Sequence, residues 1–350
     1  MSPAIAAPIY FHHPSSLEHD TGAHPERSAR IPAIERELEA RGWLGFERVL
    51  APRVEREALL AVHTAAHVEA IAELSARGGG AIDFDTVTSA GSYEAALHAA
   101  GGAMAMVDAL ADPDGPGTAF SGLRPPGHHA EPARAMGFCL FNSVAVAARR
   151  AIDAHGRARV LIVDWDVHHG NGTEAVFAED PAVLFCSIHQ WPLYPGTGAA
   201  GDAGRGAGEG TTVNIPVPAG TGDEAYASLV EHVVAPIARE YRPELVLVSA
   251  GYDSHRDDPI GGCRLTEAGY AAMTGTLRRV CADLGDVPLG VVLEGGYDLA
   301  ALARSIAATL EALAVEVPPP RREIPVHPLA ADAADSVARY WPAVAGVSAG

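Results

Sequence analysis

Residues 164–172 read DWDVHHGNG and directly follow the apolar run RVLIV. Carboxylates and imidazoles are costly to bury unless they pair or bind a metal. This stretch therefore either turns out to solvent as a loop or builds a site. Asp166 and His168 stand two residues apart at a strand end, a spacing that lets both side chains point the same way. Asp253, closing the run SAGYD, is a third candidate ligand from another strand. Three protein ligands with an open fourth position describe a catalytic metal site. Two carboxylates and one imidazole form a harder set than most zinc sites, which leaves Fe(II) and Co(II) open beside zinc. His128 and His129 follow Arg124-Pro-Pro-Gly. A catalytic histidine pair needs acceptors that fix each ring's tautomer, and Asp164 and Asn171 flank the ligands at suitable positions. Tyr297, after Gly295-Gly296, offers a hydroxyl on a loop open to close approach by a substrate.

A single Asp-x-His is more often a surface pair than a ligand pair, so the decision rests on what positions these residues. Apolar runs recur at PIYF near residue 8, TAFSGL at 118, RVLIVDWD at 159, AVLFCSIH at 182, TVNIPV at 212, ELVLVSAGYD at 244 and LGVVLEGGYD at 289. Helical periodicity lies between most of them. One helix is predicted over 142–156, with Asn142 as N-cap and Gly156 past its end; others run roughly 222–241, 266–284 and 298–314. Alternating strands and helices predict a parallel sheet covered on both faces. The polar clusters RPPGHH, DWDVHHGNG, SIHQWPLYPGTG, AGYDSHRDDP and EGGYD all fall just after apolar runs. In an open parallel sheet those strand ends share one edge, where ligands bind. Five clusters converging there make a site.

Composition narrows the function classes. The net charge of −19 over 350 residues argues against a nucleic-acid backbone as partner and leaves room for a cationic substrate. All 25 basic residues are arginine, which excludes lysine Schiff-base chemistry. Cys139, Cys186, Cys263 and Cys281 are scattered without CxxC spacing and read as reduced core thiols, pointing to the cytoplasm. No apolar run approaches the roughly 20 residues of a membrane span, and the N-terminal stretch lacks the basic region of a secretory signal. No internal repeat is visible. The first break is the proline run Pro318–Pro320, followed by one short helix near 329–341.

Seven motifs together resemble the histone deacetylase family, most closely the class II-like deacetylases and deacetylase-like amidohydrolases of bacteria. They are HPERSARI at 24, RPPGHHA at 124, GFCLFN at 137, DWDVHHGNGT at 164, LYPGTG at 193, AGYDSHRDDP at 250 and LEGGYDL at 293. The resemblance covers roughly residues 8–315. It implies an arginase-like, three-layer α/β fold with an eight-stranded parallel sheet: a catalytic domain over 1–317, with 318–350 as an extension packing on it. It also implies Zn²⁺-dependent hydrolysis of an N-acylated amine, such as acyl-lysine in a protein or peptide.

On this resemblance Asp166, His168 and Asp253 are the zinc ligands. His128 and His129 are the tandem pair, backed by Asp164 and Asn171, and Tyr297 polarises the carbonyl. Phe138 and Tyr194 are the channel walls, Gly137 offers its carbonyl to the substrate amide, and Asp83 counts among the substrate-binding residues. Arg30 resembles the arginine of an internal cavity below the metal. A structural K⁺ would use Ser187 with backbone carbonyls of Asp164, Asp166, His168 and Ile188.

Three other readings compete. The arginase-like manganese hydrolases need second-metal carboxylates at positions that are Gly170 and His255 here, which disfavours a binuclear site. An acetylpolyamine amidohydrolase shares the chemistry, but Ile260 stands where a polyamine-selective relative places glutamate, which favours a lysine-type substrate. A non-catalytic acyl-lysine binder should have lost a ligand, a histidine or the tyrosine, and none is missing. The oligomeric state is left open.

Overall fold

The computed structural model describes residues 6–317 and 323–349; Pro318–Pro320 lie outside the described residues. Ten strands are present: β1 (Ile9–His12), β2 (Glu47–Leu50), β3 (Gly79–Ala81), β4 (Val87–Ser89), β5 (Thr118–Ser121), β6 (Val160–Asp164), β7 (Val183–Gln190), β8 (Thr212–Val217), β9 (Leu245–Ala250) and β10 (Leu289–Leu293). Eight form one sheet in the order β2-β1-β5-β10-β9-β6-β7-β8, with every neighbouring pair parallel. β3 and β4 form a separate antiparallel pair.

The continuous apolar runs are explained by burial on both faces. Successive strand residues point to opposite sides, and here each side has its own core. Leu161, Val163, Val246 and Val248 join one cluster, while Val160, Ile162, Leu245 and Leu247 join the other. The second cluster packs against the helices Ala65–Ala76, Ser92–Ala111 and Ser143–Asp153. The first packs against Arg30–Ala40, Glu267–Asp283 and Leu299–Ala314. This is the expected α/β fold with helices on both faces of an eight-stranded parallel sheet.

Seven of the sheet strands coincide with the seven apolar runs. The eighth, β2, is the polar edge strand ERVL, exposed along most of its length, and so carried no apolar signal. Asn142 caps its helix as predicted, accepting from the Ala145 amide at 3.0 Å. The helix expected over 222–241 is three segments: Asp223–Leu229, a π-turn at Val230–Val234, and Ala235–Tyr241. Pro236, which has no N–H to donate, is the second residue of the last segment. Beyond residue 323, the helix Pro328–Val337 adds Ala330, Ala334 and Val337 to the first core, and the Trp341 indole donates to the Gly210 carbonyl at 2.9 Å. All four cysteines are buried and free. Among the described residues no helix is long and apolar enough to cross a membrane.

Candidate active site

The strand order decides which loops meet. β5, β10, β9, β6 and β7 are consecutive in the sheet. The clusters after them carry, in that order, the two histidines, Tyr297, Asp253, Asp166 with His168, and Tyr194.

Asp166, His168 and Asp253 are all buried, and their ligand atoms lie within 4.8 Å of one another. His168 Nδ1 is 3.0 Å from Asp166 Oδ1 and 3.2 Å from Asp253 Oδ2. The outer carboxylate oxygens are held by the backbone: the Val167 amide donates to Asp253 Oδ1 at 2.9 Å and the Gly295 amide to Asp166 Oδ2 at 3.0 Å. Asp253 Oδ2 is buried, and its nearest polar neighbour is that His168 nitrogen, with no hydrogen bond of good geometry to it. Two buried carboxylates this close are costly to keep ionised, and a cation between them would offset that cost. A Cβ at Gly295 would overlap both carboxylates, so only glycine lets that strand end approach so closely. Burial works against charge on Asp166, but His128 and His168 outweigh it and hold the carboxyl below its usual range. Burial and the neighbouring Asp166 push Asp253 up. Despite burial, the two carboxylates raise His168 to about 10. The donor set fits a metal ion.

The tandem histidines lie beside this group with ring centroids 4.0 Å apart and planes tilted by 42°, yet their surroundings drive them in opposite directions. His128 Nδ1 meets Asp164 Oδ2 at 3.0 Å, and its Nε2 is 3.8 Å from Asp166 Oδ1. Burial opposes its charge, but Asp166 and Asp164 prevail and raise it to about 10. His129 Nδ1 meets the Asn171 carbonyl oxygen at 2.8 Å. Burial, with His128 and His168 nearby, pulls it well below the usual histidine value. These surroundings favour the charged form of His128 and the neutral form of His129. Neighbouring titratable groups pushed apart in this way mark acid–base assignments.

Tyr297 faces the same group. Its amide donates to Asp258 Oδ2 at 2.7 Å, and burial, reinforced by Asp253, raises its phenol well above the ordinary value, so it stays a donor. Arg30 is buried beneath this turn, donating to the carbonyls of Gly296 at 2.7 Å and Glu294 at 2.5 Å, with its guanidinium 5.2 Å from the Tyr297 ring centre.

Phe138 stands edge-on to Tyr297 at 5.7 Å, and Tyr194 edge-on to His129 at 5.2 Å and His168 at 6.2 Å. The two aromatic rings thus flank the polar group on different sides. Phe138 has a left-handed φ of 67°, held in part by its amide donating to Thr86 Oγ1. Gly137 before it has φ 55°, and a Cβ there would overlap the His129 ring. Asp83 Oδ1 caps its own turn, accepting from the amides of Asp85 and Thr86 at 3.1 and 2.7 Å. Phe84 between them is 85% exposed and reaches Tyr194 at 6.4 Å. Ile260 is half-buried on the loop after Asp253, its amide donating to Asp258 Oδ1. Ser187 pairs with Asp164 across β6 and β7, its hydroxyl 3.0 Å from His189 Nδ1, and Ile188 beside it is buried.

The family model for the histone deacetylase domain matches residues 24–313. This chain belongs to the histone deacetylase family. It is 40% identical over 316 residues to Histone deacetylase 14, chloroplastic, of Arabidopsis thaliana, covering 85% of this chain and 75% of that one. A probable deacetylase of Archaeoglobus fulgidus is 41% identical over 294 residues, covering 83% and 81%. The histone deacetylase-like amidohydrolase of Pseudomonas aeruginosa is 39% identical over 264 residues, covering 75% and 69%. The crystal structure of the HDA15 HD domain superposes with a TM-score of 0.90 at 36% identity, covering 97% of both chains. Family membership supports a hydrolase of the deacetylase type.

Within this deacetylase-family site, the sequence reading passed over Glu294. Its Oε2 accepts from the amides of Gly127 and His128 at 2.6 and 3.1 Å, and its Oε1 from Ser249 Oγ at 2.9 Å. Glu294 therefore carries the turn that presents both histidines. The signal was available, since a carboxylate closing an apolar run is what singled out Asp166. Glu294, His128 and Cys139 also cluster within metal-ligand range. The hydrogen bonds above already occupy the carboxylate, and Cys139 Sγ donates to the Gly137 carbonyl. At the positions a second metal would need, Gly170 has no ligand atom, and a Cβ there would overlap Asp164. His255 lies instead near Glu267, at 3.7 Å.

Proposed function

We propose that this chain is a zinc-dependent amidohydrolase that removes acyl groups of acetyl type from the side-chain amine of acyl-lysine or a similar N-acylated amine. One observation carries the reading: buried Asp166, His168 and Asp253 converge beside two histidines, one backed by the Asp164 carboxylate and the other by the Asn171 amide. Asp166, His168 and Asp253 would hold the ion, and when bound it supplies Lewis-acid polarisation of the scissile carbonyl and a more acidic water.

His129 Nε2 takes a proton from the attacking water and returns it to the leaving amine. His128, kept charged by Asp164, stabilises negative charge without exchanging its proton. The Tyr297 hydroxyl donates to the oxygen on which charge develops. Phe138 and Tyr194 hold the apolar stem, the Gly137 carbonyl accepts from the substrate amide, and Asp83 and Ile260 meet the substrate at the rim. Arg30 holds the turn that carries Tyr297. A K⁺ held by Ser187 and the carbonyls of Asp164, Asp166, His168 and Ile188 would brace the strand end that carries two ligands. Acidity disfavours nucleic-acid and membrane partners, and the four buried free thiols support a cytoplasmic location.

Asp253→Ala tests the ligand set. The variant is expected to stay folded while losing bound zinc and turnover; near-stoichiometric zinc with turnover overturns the assignment. A second substrate class has one observation in its favour, the half-buried Asp83 and Asp85 beside exposed Phe84 at the rim, which could meet the second ammonium of an acetylpolyamine. A panel of acylated lysine peptides and acetylpolyamines on the zinc-loaded enzyme separates the two. A strong preference for the polyamines would replace the lysine-type assignment.

A further inference from the structure

We propose that Glu131 is a positioning residue for the general base: it fixes the orientation of the Asn171 side-chain amide and, through it, the tautomer of His129. This rests on the reading of His129 as the base.

Asn171 is buried between two polar groups. Its carbonyl oxygen meets His129 Nδ1 at 2.8 Å, and its amide nitrogen donates to Glu131 Oε1 at 2.8 Å. The same nitrogen lies 3.4 Å from Met136 Sδ, so both amide hydrogens have acceptors. An amide has two ends of nearly equal shape, and which end faces the imidazole is a chemical question. With oxygen inward, His129 must carry its proton on Nδ1 and leave Nε2 free to accept one. With nitrogen inward, Nδ1 must be the acceptor, the proton moves to Nε2, and the ring can no longer act as base. Nothing in Asn171 itself chooses between these.

Glu131 does. An ionised carboxylate only accepts hydrogen bonds, so the flipped amide would set its carbonyl oxygen against a negative oxygen at hydrogen-bond distance and lose the Met136 contact as well. The carboxylate is itself placed by a tight turn. The Glu131 amide donates to the Arg134 carbonyl at 2.9 Å, the Arg134 amide donates back, and the Glu131 carbonyl meets His63 Nδ1 at 3.1 Å. His128 needs no such arrangement, because its partner Asp164 accepts through either oxygen. With an asparagine behind the second histidine an orientation has to be set, and the Glu131 carboxylate sets it.

The test uses two variants of the zinc-loaded protein. Glu131→Gln lets either end face Asn171, and a loss of up to roughly tenfold in kcat is expected, the scale of about one hydrogen bond to a charged group. Glu131→Lys offers only donors and favours the flipped amide. A wrong base tautomer costs up to about 10⁴ in kcat, so a loss on the order of 10²-fold or more is expected, with KM little changed. In protein labelled with 15N at histidine, neutral His129 should show its proton on Nδ1 in the parent, a mixture in Glu131→Gln and Nε2 in Glu131→Lys. The ring signal is identified with a His129→Asn variant. An unchanged tautomer in both variants overturns the proposal, whatever happens to rate. So does a loss of kcat that merely follows a loss of zinc or of thermal stability. If the parent turns over no acylated amine, the deacylase reading fails, while the nitrogen spectra still decide the role of Glu131.

Discussion

At the scale of single residues, the informative contrast is between two adjacent rings. His128 has a carboxylate behind it and His129 an amide; burial with His128 and His168 lowers His129, while Asp166 and Asp164 outweigh burial and raise His128. Placing a carboxylate behind His129 as well would stabilise its charged form and raise its pKa. The base would then become free only at higher pH, so Asn171→Asp should move the acidic limb of the kcat/KM profile upward. A pH–rate series measures this, and an unmoved or lowered limb counts against His129 as base. Tyr297→Phe removes one donor to the developing oxyanion, a loss worth on the order of 10²–10³ in kcat, with KM little changed in steady-state assays. These residues were legible in the sequence because each closes an apolar run with a polar group. Glu131, by contrast, sits in a turn with no such run before it, and only its 2.8 Å contact with Asn171 reveals it.

At the scale of elements, apolar runs made the strands easy to read and left the parts held by charge hard to read. Glu26, Arg30 and Arg124 belong to stretches whose composition resembles a solvated surface. All three are fully buried, and the Glu26 carboxylate bonds both guanidinium groups, at 3.1 Å to Arg30 and 2.6 Å to Arg124. They lock the segment before the helix Arg30–Ala40 to the loop that carries the histidines, and Arg30 in turn supports the Tyr297 turn. Pairing of this kind is invisible to periodicity, which reports only apolar faces. Removing one partner of a buried ion pair costs about 3–5 kcal/mol, so Glu26→Gln should destabilise by that order in chemical denaturation. Burial opposes the Glu26 charge, but Arg124 and His19 hold its pKa well below the ordinary value of 4.5. A depressed carboxyl stabilises above its unfolded pKa, and that stabilisation is lost as pH falls through the folded value. The parent should therefore lose stability progressively below about pH 4.5, and Glu26→Gln should show a shallower slope there. The polar edge strand β2 and the short β3–β4 pair were missed for the same reason: neither has a long apolar run.

At the scale of the whole molecule, the sheet separates two hydrophobic cores and gathers the candidate catalytic groups at one edge, above five adjacent strands. The carboxylates of Asp166 and Asp253 converge only in the folded state, so a metal bound by them should stabilise the fold by linkage. At free metal a thousandfold above Kd that amounts to about 4 kcal/mol. A chelator should thus lower the Tm of the parent and leave that of Asp253→Ala nearly unchanged, as differential scanning calorimetry would show. The placement of the ligand strands has another consequence. β6 and β9 lie side by side in the interior of the sheet, each hydrogen-bonded on both sides. Openings of low free energy occur at frayed ends and mobile loops, whereas interior strands open only near the global unfolding free energy. The backbone amides of β6 and β9 should therefore be among the last to exchange with deuterium, and those of the edge strand β2 among the first.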